Sequence, residues 1–252
     1  MDDAAAQARD GLSLPQIRQA AHPSIADQVF DALQQRILDL GLTPGARISE
    51  ADVARRMGVS RQPVREAFKR LARLGFLEIR PQSSTRVSLI SEEAVRRARF
   101  IRTALEVHTC RTACEVVTEA GLAALAALIE AQRGAIEAQD RHAFHALDDR
   151  FHREICVQSG VGYVWDLIHE SKAHMDRVRM LSLSPSSQRH ALDEHAAILA
   201  ALTARDPEAA VAAITRHLSR ILVLIEELRA QDHGWFAGAP DDADRLGRPG
   251  DG

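Results

Sequence analysis

Four side chains in the C-terminal half have the types and spacing of a metal site. Asp148 and His152 stand four residues apart, so they share one face of a helix. They lie among Phe144, Phe151 and Ile155, on the face that should be buried. His195 falls between Leu192 and Leu199, and His217 between Ile214 and Ile221, again at core positions of helical patterns. One carboxylate and three imidazoles then point inward from three helices. Buried polar groups are costly unless paired, and a divalent metal would satisfy all four at once. Oxygen-plus-imidazole ligation suits Zn²⁺, Ni²⁺, Fe²⁺ or Mn²⁺, and spacing does not choose among them; zinc is the ion we expect. Taken singly, each histidine reads as well as a core residue hydrogen-bonded to a neighbour.

The second chemical pattern lies in Arg47–Leu77. Two short helical patterns flank a turn at Met57-Gly58-Val59-Ser60, and the second helix carries Ser60, Arg61, Gln62 and Arg65 in its opening turns. Pro63 is tolerated there, because first-turn N–H groups have no intrahelical acceptor. Val64, Phe68, Leu71 and Leu74 recur at three- and four-residue spacing, giving one apolar and one basic face. A major-groove reader needs such a helix, with long donors on its N-terminal turns and a back that packs on a neighbour. Arg61 or Arg65 suits a guanine edge, and Ser60 with the helix N-terminus suits a phosphate. Lys69 and Arg70 read either as backbone contacts or as solvated charges.

Charge supports that placement. The 252 residues carry a net charge of −3, yet residues 47–86 hold ten Lys/Arg against four Asp/Glu, about +6, which leaves about −9 for the rest. A basic segment in an otherwise acidic chain marks a local polyanion contact. Aromatic residues make up only 4% while Ala, Leu and Arg abound, which points to a mainly α protein. The three cysteines, Cys110, Cys114 and Cys156, are too irregular for a disulfide framework, so a reducing compartment fits. Cys110 and Cys114 share a helix face, as half a metal site or simply as small buried residues. No apolar run approaches the roughly 20 residues needed to span a bilayer. The N-terminus lacks a secretory pattern. We therefore expect a cytoplasmic protein with no membrane partner.

Along the chain, residues 1–23 are expected to be a flexible arm. Ser24 caps a helix to about Leu40 with Ile25, Val29, Leu33 and Ile37 at helical spacing. Ser49 caps the next, with Val53 and Met57 facing inward. After the reading helix, Phe76–Arg80 and Arg86–Ile90 form a β-hairpin wing around a loop at residues 81–85. Residues 24–90 thus make a winged helix-turn-helix. From Ser91 to Gln231 strand signals are absent. Gly, Pro and polar breaks divide the segment into six helices, 92–119, 121–138, 141–158, 162–181, 186–204 and 207–231. These would pack as an antiparallel helical bundle over residues 91–231. Residues 232–252 are rich in Gly, Asp and Pro and are expected to be a disordered tail, with Trp235-Phe236 docking locally.

The run Leu42-x-Pro44-Gly45, Ser49-Glu50-Ala51-Asp52-Val53-Ala54 and Gly58-Val59-Ser60-Arg61-Gln62-Pro63-Val64-Arg65-Glu66-Ala67 resembles the winged helix-turn-helix of GntR-family bacterial transcription regulators. The resemblance implies operator contacts from Ser60, Arg61, Gln62 and Arg65, helped by Arg47 and by Thr85 and Arg86 in the wing. Ala51 stands where FadR has a base-region arginine, so that part of FadR's operator preference is not carried over. Leu147-Asp148-Asp149-Arg150-Phe151-His152, Glu194-His195-Ala196-Ala197-Ile198 and His217 are similar to the metal-binding signature of the FCD effector domain of the FadR subfamily. Six helices look like the VanR-type branch. The resemblance implies a divalent metal at the floor of a cavity, bound to the carboxylate of an effector. Asp149 is expected to face solvent.

Arg102 matches an arginine that faces this cavity in the family. It sits near the apolar stripe, four residues from Ala98 and three from Leu105. A buried arginine needs an anion: either an effector carboxylate or an acidic neighbour in a structural ion pair. Arg177 and Arg179 are further candidates.

The sequence thus reads as a ligand-responsive transcription regulator, a repressor, and not an enzyme. A single reading helix covers few base pairs, so a homodimer on double-stranded, two-fold operator DNA is expected. Two alternatives stay open. One is a metal sensor in which the ion itself is the signal. The other is a metalloenzyme, against which the pattern places no second general base.

Overall fold

The computed structural model describes residues 23–80, 84–231 and 234–238. All but the last residue of the expected arm at 1–23, and most of the expected tail, lie outside the described residues.

The N-terminal unit is built by caps and apolar stripes. Helix α1 (Ile25–Leu38) opens on a capping box in which the Ser24 hydroxyl accepts from the Asp27 amide and the Asp27 carboxylate accepts from Ser24. Its buried stripe is Val29, Phe30, Leu33 and Ile37. A two-residue strand, β1 (Arg47–Ile48), follows. Helix α2 (Glu50–Met57) is capped by Ser49 and stopped by Gly58, whose φ of 67° is the left-handed value glycine accepts without strain. Helix α3 (Arg61–Arg73) buries Val64, Ala67, Phe68 and Leu71 against α1. Full burial of side chains such as Phe68 and Leu71 contributes roughly 1.5–3 kcal/mol each, and that packing holds the α3 basic face outward.

Strands β2 (Leu77–Ile79) and β3 (Thr85–Val87) form the wing, shorter than the expected 76–80 and 86–90. The sheet order is β1-β3-β2, all antiparallel, with Arg47 opposite Arg86 and Ile48 opposite Thr85. Strand β1 gave no sequence signal, because two residues show no alternation. Met57, expected inside, is 37% exposed, since α2 ends there.

Six helices follow: α4 (Glu92–Val116), α5 (Glu119–Glu137), α6 (Arg141–Gln158), α7 (Val164–Ser182), α8 (Pro185–Thr203) and α9 (Pro207–Ala230). Capping hydroxyls or carboxylates at Ser91, Thr118, Asp140, Ser184 and Asp206 explain five of the starts. Helix α4 packs on α9, α7 and α6, while α5 packs on α6 and α8. The main core gathers Cys110, Cys114, Leu125, Phe151, Ile155, Ile198, Leu202 and Ile214. All three cysteines are free and buried, and burial pushes the Cys110 thiol up to about 12. They serve as small apolar residues. Trp235 and Phe236 lie beside Ile90: the Ile90 amide donates to the Trp235 carbonyl at 2.8 Å and Phe236 bridges to Ile90.

Candidate metal centre and nucleic-acid interface

On α6 the buried stripe reads Phe144, Asp148, Phe151, His152 and Ile155, so two polar residues occupy core positions. His195 on α8 and His217 on α9 are buried the same way. These four predicted ligands converge. One ligand atom from each of Asp148, His152, His195 and His217 lies within 4.8 Å of the others. His152 Nε2 is 3.1 Å from His217 Nε2, and His195 Nε2 is 3.5 Å from Asp148 Oδ1.

The outward nitrogens explain the convergence. His195 Nδ1 lies 2.7 Å from Gln132 Oε1, and His217 Nδ1 lies 2.9 Å from Glu194 Oε2. His152 Nδ1 is 2.6 Å from Glu106 Oε2, close but out of line for a good hydrogen bond. An oxygen acceptor at Nδ1 keeps the proton there and leaves the Nε2 lone pair bare. With that tautomer on all three rings, three lone pairs would face one carboxylate. Asp148 Oδ2 and His195 Nε2 are buried without a hydrogen-bond partner. Such orphaned acceptors, all of donor types that bind divalent metals, fit an ion held by these four residues.

The electrostatics agree. Burial alone would raise the Asp148 carboxyl, but Arg179 and the three imidazoles outweigh it and hold it well below the usual range. Burial drives His195 well below its ordinary value, with His217 adding to the effect. Burial likewise brings His217 down to about 4 against the opposing pull of Glu194. His195 and His217 are thus kept neutral, the form that ligates metal.

Arg102 has the acidic neighbour that its structural reading requires. Its Nε donates to Glu106, an ion pair buried on both sides, yet its Nη2 has no partner. Burial opposes the Glu106 charge, and Arg102 and His152 overcome it, bringing that carboxyl down to about 2. Arg102 also lines a cavity of about 50 Å³ together with Arg179, His217, Arg220, Phe144 and Met175. Arg179, a lesser candidate in the sequence, donates to Asp148 and leaves Nη1 unpartnered. Asp149, expected in solvent, is instead part-buried and pairs with the buried Lys172 at 2.9 Å.

Sequence reasoning missed Glu106, Gln132 and Glu194. Each left a signal: a polar residue inside an apolar stripe (Gln132, between Ile129 and Ala135), four residues from Arg102 (Glu106), or adjacent to a ligand (Glu194).

At the other end of the molecule, Ser60, Arg61, Gln62, Arg65 and Arg47 are all exposed. Ser60 holds the N-cap position of α3, but its hydroxyl makes no cap bond. Arg47, Arg61, Ser84 and Thr85 line one groove of about 880 Å³. Gln62, Arg65 and Arg86 lie outside that groove's lining. Gln62 donates to Glu66 and Arg65 to Glu50, at 3.0 and 3.3 Å. Arg86 donates to the Gly45 carbonyl at 2.8 Å and so braces the turn before β1. Arg70 is held by Asp27 and lies 4.1 Å over the Phe30 ring, a packing role.

Comparisons with known proteins agree with both halves. Residues 25–87 match bacterial regulatory proteins of the gntR family, and residues 98–220 match the FCD domain. The chain is 37% identical over 214 residues to the HTH-type transcriptional repressor RspR of Escherichia coli K12, covering 84% of this chain and 94% of that one. It is 31% identical over 199 residues to a probable D-xylose utilization operon transcriptional repressor of Paenarthrobacter nicotinovorans, covering 79% and 88%. Among solved structures, E. coli McbR/YncC superposes with a TM-score of 0.69 at 25% identity, over 82% of this chain and all of that one. With a helix-turn-helix head joined to an FCD body, the chain belongs to the GntR family and is a DNA-binding transcription regulator.

Proposed function

We propose that this regulator is a repressor whose operator binding is set by a small carboxylate held at a divalent metal, Zn²⁺ first among the candidates. Asp148, His152, His195 and His217 would hold the ion. The observation that carries the reading is the pairing of that ligand set with two unpartnered guanidinium nitrogens, on Arg102 and Arg179, beside the small cavity. A metal supplies a fixed positive charge that an effector carboxylate can share. Arg102 Nη2 and Arg179 Nη1 supply donors for its remaining oxygen lone pairs. The names of two relatives, both repressors, support the repressor part of the reading.

The regulator acts in the cytoplasm as a homodimer. Each head presents one reading helix, and a two-fold operator needs two. The groove lined by Arg47, Arg61 and Thr85 would take the duplex backbone, and the bare Ser60 hydroxyl at the α3 N-terminus suits a phosphate. An effector shifts operator binding only by its difference in affinity for the two arrangements of the heads.

A thermal-melt screen of the metal-loaded protein against small carboxylates, repeated on His195→Ala, tests the reading. A carboxylate at a hundred times its dissociation constant adds about 2.7 kcal/mol to stability, and that gain should vanish in the variant. Operator binding unchanged by every acid in the screen would overturn it.

A second reading is favoured by the tightness of the cavity and by the existing Arg102–Glu106 pair: the ion itself is the signal. Removal and return of Zn²⁺ alone would then switch operator binding.

A further inference from the structure

Helix α7 carries two different faces. Lys172, Asp176 and Arg179, at positions i, i+4 and i+7, turn toward α6, where Lys172 pairs with Asp149 and Arg179 with Asp148. Ala173, His174 and Arg177, at i, i+1 and i+4, turn toward the DNA-binding head. Ala173 is buried in the head's own core with Phe68, Leu71 and Phe76. The His174 ring stacks on Phe76 with centroids 4.5 Å apart, and its Nε2 donates to the Leu74 carbonyl at 2.9 Å. Arg177 Nη2 donates to the Ser88 carbonyl at 2.6 Å.

These head contacts meet at one place. The Ser88 hydroxyl donates to the Gly75 carbonyl at 2.5 Å, and the Ser88 amide to the Phe76 carbonyl at 3.0 Å. Leu74–Phe76 is the turn that ends the reading helix α3, and Ser88 follows the wing strand β3. Both DNA-reading elements are therefore anchored at one knot, and α7 grips that knot.

Arg177 is a costly residue for mere packing. It is fully buried, with no carboxylate within ion-pair distance among the described residues, and its Nε has no partner. Burial lowers it to about 10. A buried guanidinium held by the Ser88 carbonyl and, at 3.5 Å, its hydroxyl, with no carboxylate partner among the described residues, is retained at a cost in stability, as expected where position matters more than stability.

We propose that Arg177 and His174 are positioning residues through which α7 relays occupancy of the Asp148 site to the reading head. This rests on the metal reading given above. A divalent cation at Asp148 competes with Arg179 for the same carboxylate. Bound at the unpartnered Oδ2, the cation draws charge from Oδ1 and weakens its hold on Arg179, and the change falls on α7, whose opposite face holds the head. Two turns of rigid helix separate Lys172 from Arg179, so a displacement on one face is felt on the other.

Hydrogen exchange on the full chain, with Zn²⁺ alone as the probe, tests this. In the native protein, saturating Zn²⁺ should change exchange at the amides of 74–76 and 88–90 by at least about threefold. In Arg177→Met that change should disappear while Zn²⁺ affinity, read by chelator competition, stays within about twofold. Arg177→Lys should restore part of it. Should Arg177→Met melt far below the native chain, His174→Gln, at a part-buried site, should show the same loss. A change that persists in both variants overturns the proposal. Zn²⁺ that binds without touching these amides also overturns it and leaves the metal site standing. Zn²⁺ that fails to bind overturns the metal reading and the relay with it.

Discussion

His152 Nε2 and His217 Nε2 face each other at 3.1 Å across 65 residues of sequence, each with its Nδ1 next to a carboxylate. With carboxylate oxygens 2.9 Å from the His217 Nδ1 and 2.6 Å from the His152 Nδ1, protons held at those nitrogens would leave both Nε2 atoms as acceptors, and two lone pairs at that distance call for a cation beside them.

Zinc should therefore stabilise the protein. At a hundred times its dissociation constant it adds about 2.7 kcal/mol by mass action. Calorimetric melting with and without Zn²⁺ checks this, and His152→Ala or His217→Ala should abolish the shift. A full shift in either variant would remove those residues from the site.

The outer acceptors should matter almost as much as the ligands. Gln132→Leu and Glu194→Leu leave the four candidate ligands in place but release His195 and His217 from their oriented tautomers. Loss of such supports costs about 10–100-fold in metal affinity. Chelator competition measures it directly, and unchanged affinity would mean that packing alone orients the rings.

The metal-free protein should lose stability in acid, in two stages. His217 titrates near 4 in the fold and near 6.5 unfolded, so the unfolded chain binds more protons between those values. Its contribution is whole above about 6.5 and is lost as pH falls toward 4. Glu106, brought to about 2 by Arg102 and His152 against burial, adds a second loss from about 4.5 downward. Urea unfolding midpoints from pH 7 to 4 should fall steadily, and His217→Gln should flatten the upper part of that curve. A flat native curve would contradict the assigned neutral histidines.

On the DNA side, Arg61→Ala should lower operator affinity by about 1–3 kcal/mol, with a smaller effect on random duplex. Glu50→Gln should tighten binding at low salt, because it removes the carboxylate that holds Arg65. Fluorescence anisotropy at fixed ionic strength separates the two. Equal losses of Arg61→Ala on operator and random DNA would make Arg61 a phosphate contact.

Much of this was legible in the sequence. The caps at Ser24, Ser49 and Ser91 and the stripes on α1 and α3 are local, so a one-dimensional pattern reveals them. The six C-terminal helices were likewise marked by Gly and Pro breaks within a few residues of their ends. The four candidate ligands could be named because a carboxylate and three imidazoles at core positions break an otherwise apolar period.

Tertiary structure alone decided what those residues face. Glu106, Gln132 and Glu194 come from α4, α5 and α8, and no spacing links them to the rings they orient. Arg102 and Arg177 look alike in sequence, each an arginine on a part-apolar stripe. Packing gave one a carboxylate partner and the other the carbonyl and hydroxyl of Ser88 at the base of the head. Periodicity tells which face of a helix is buried, but the partner on that face is set by helices that meet only once the chain has folded.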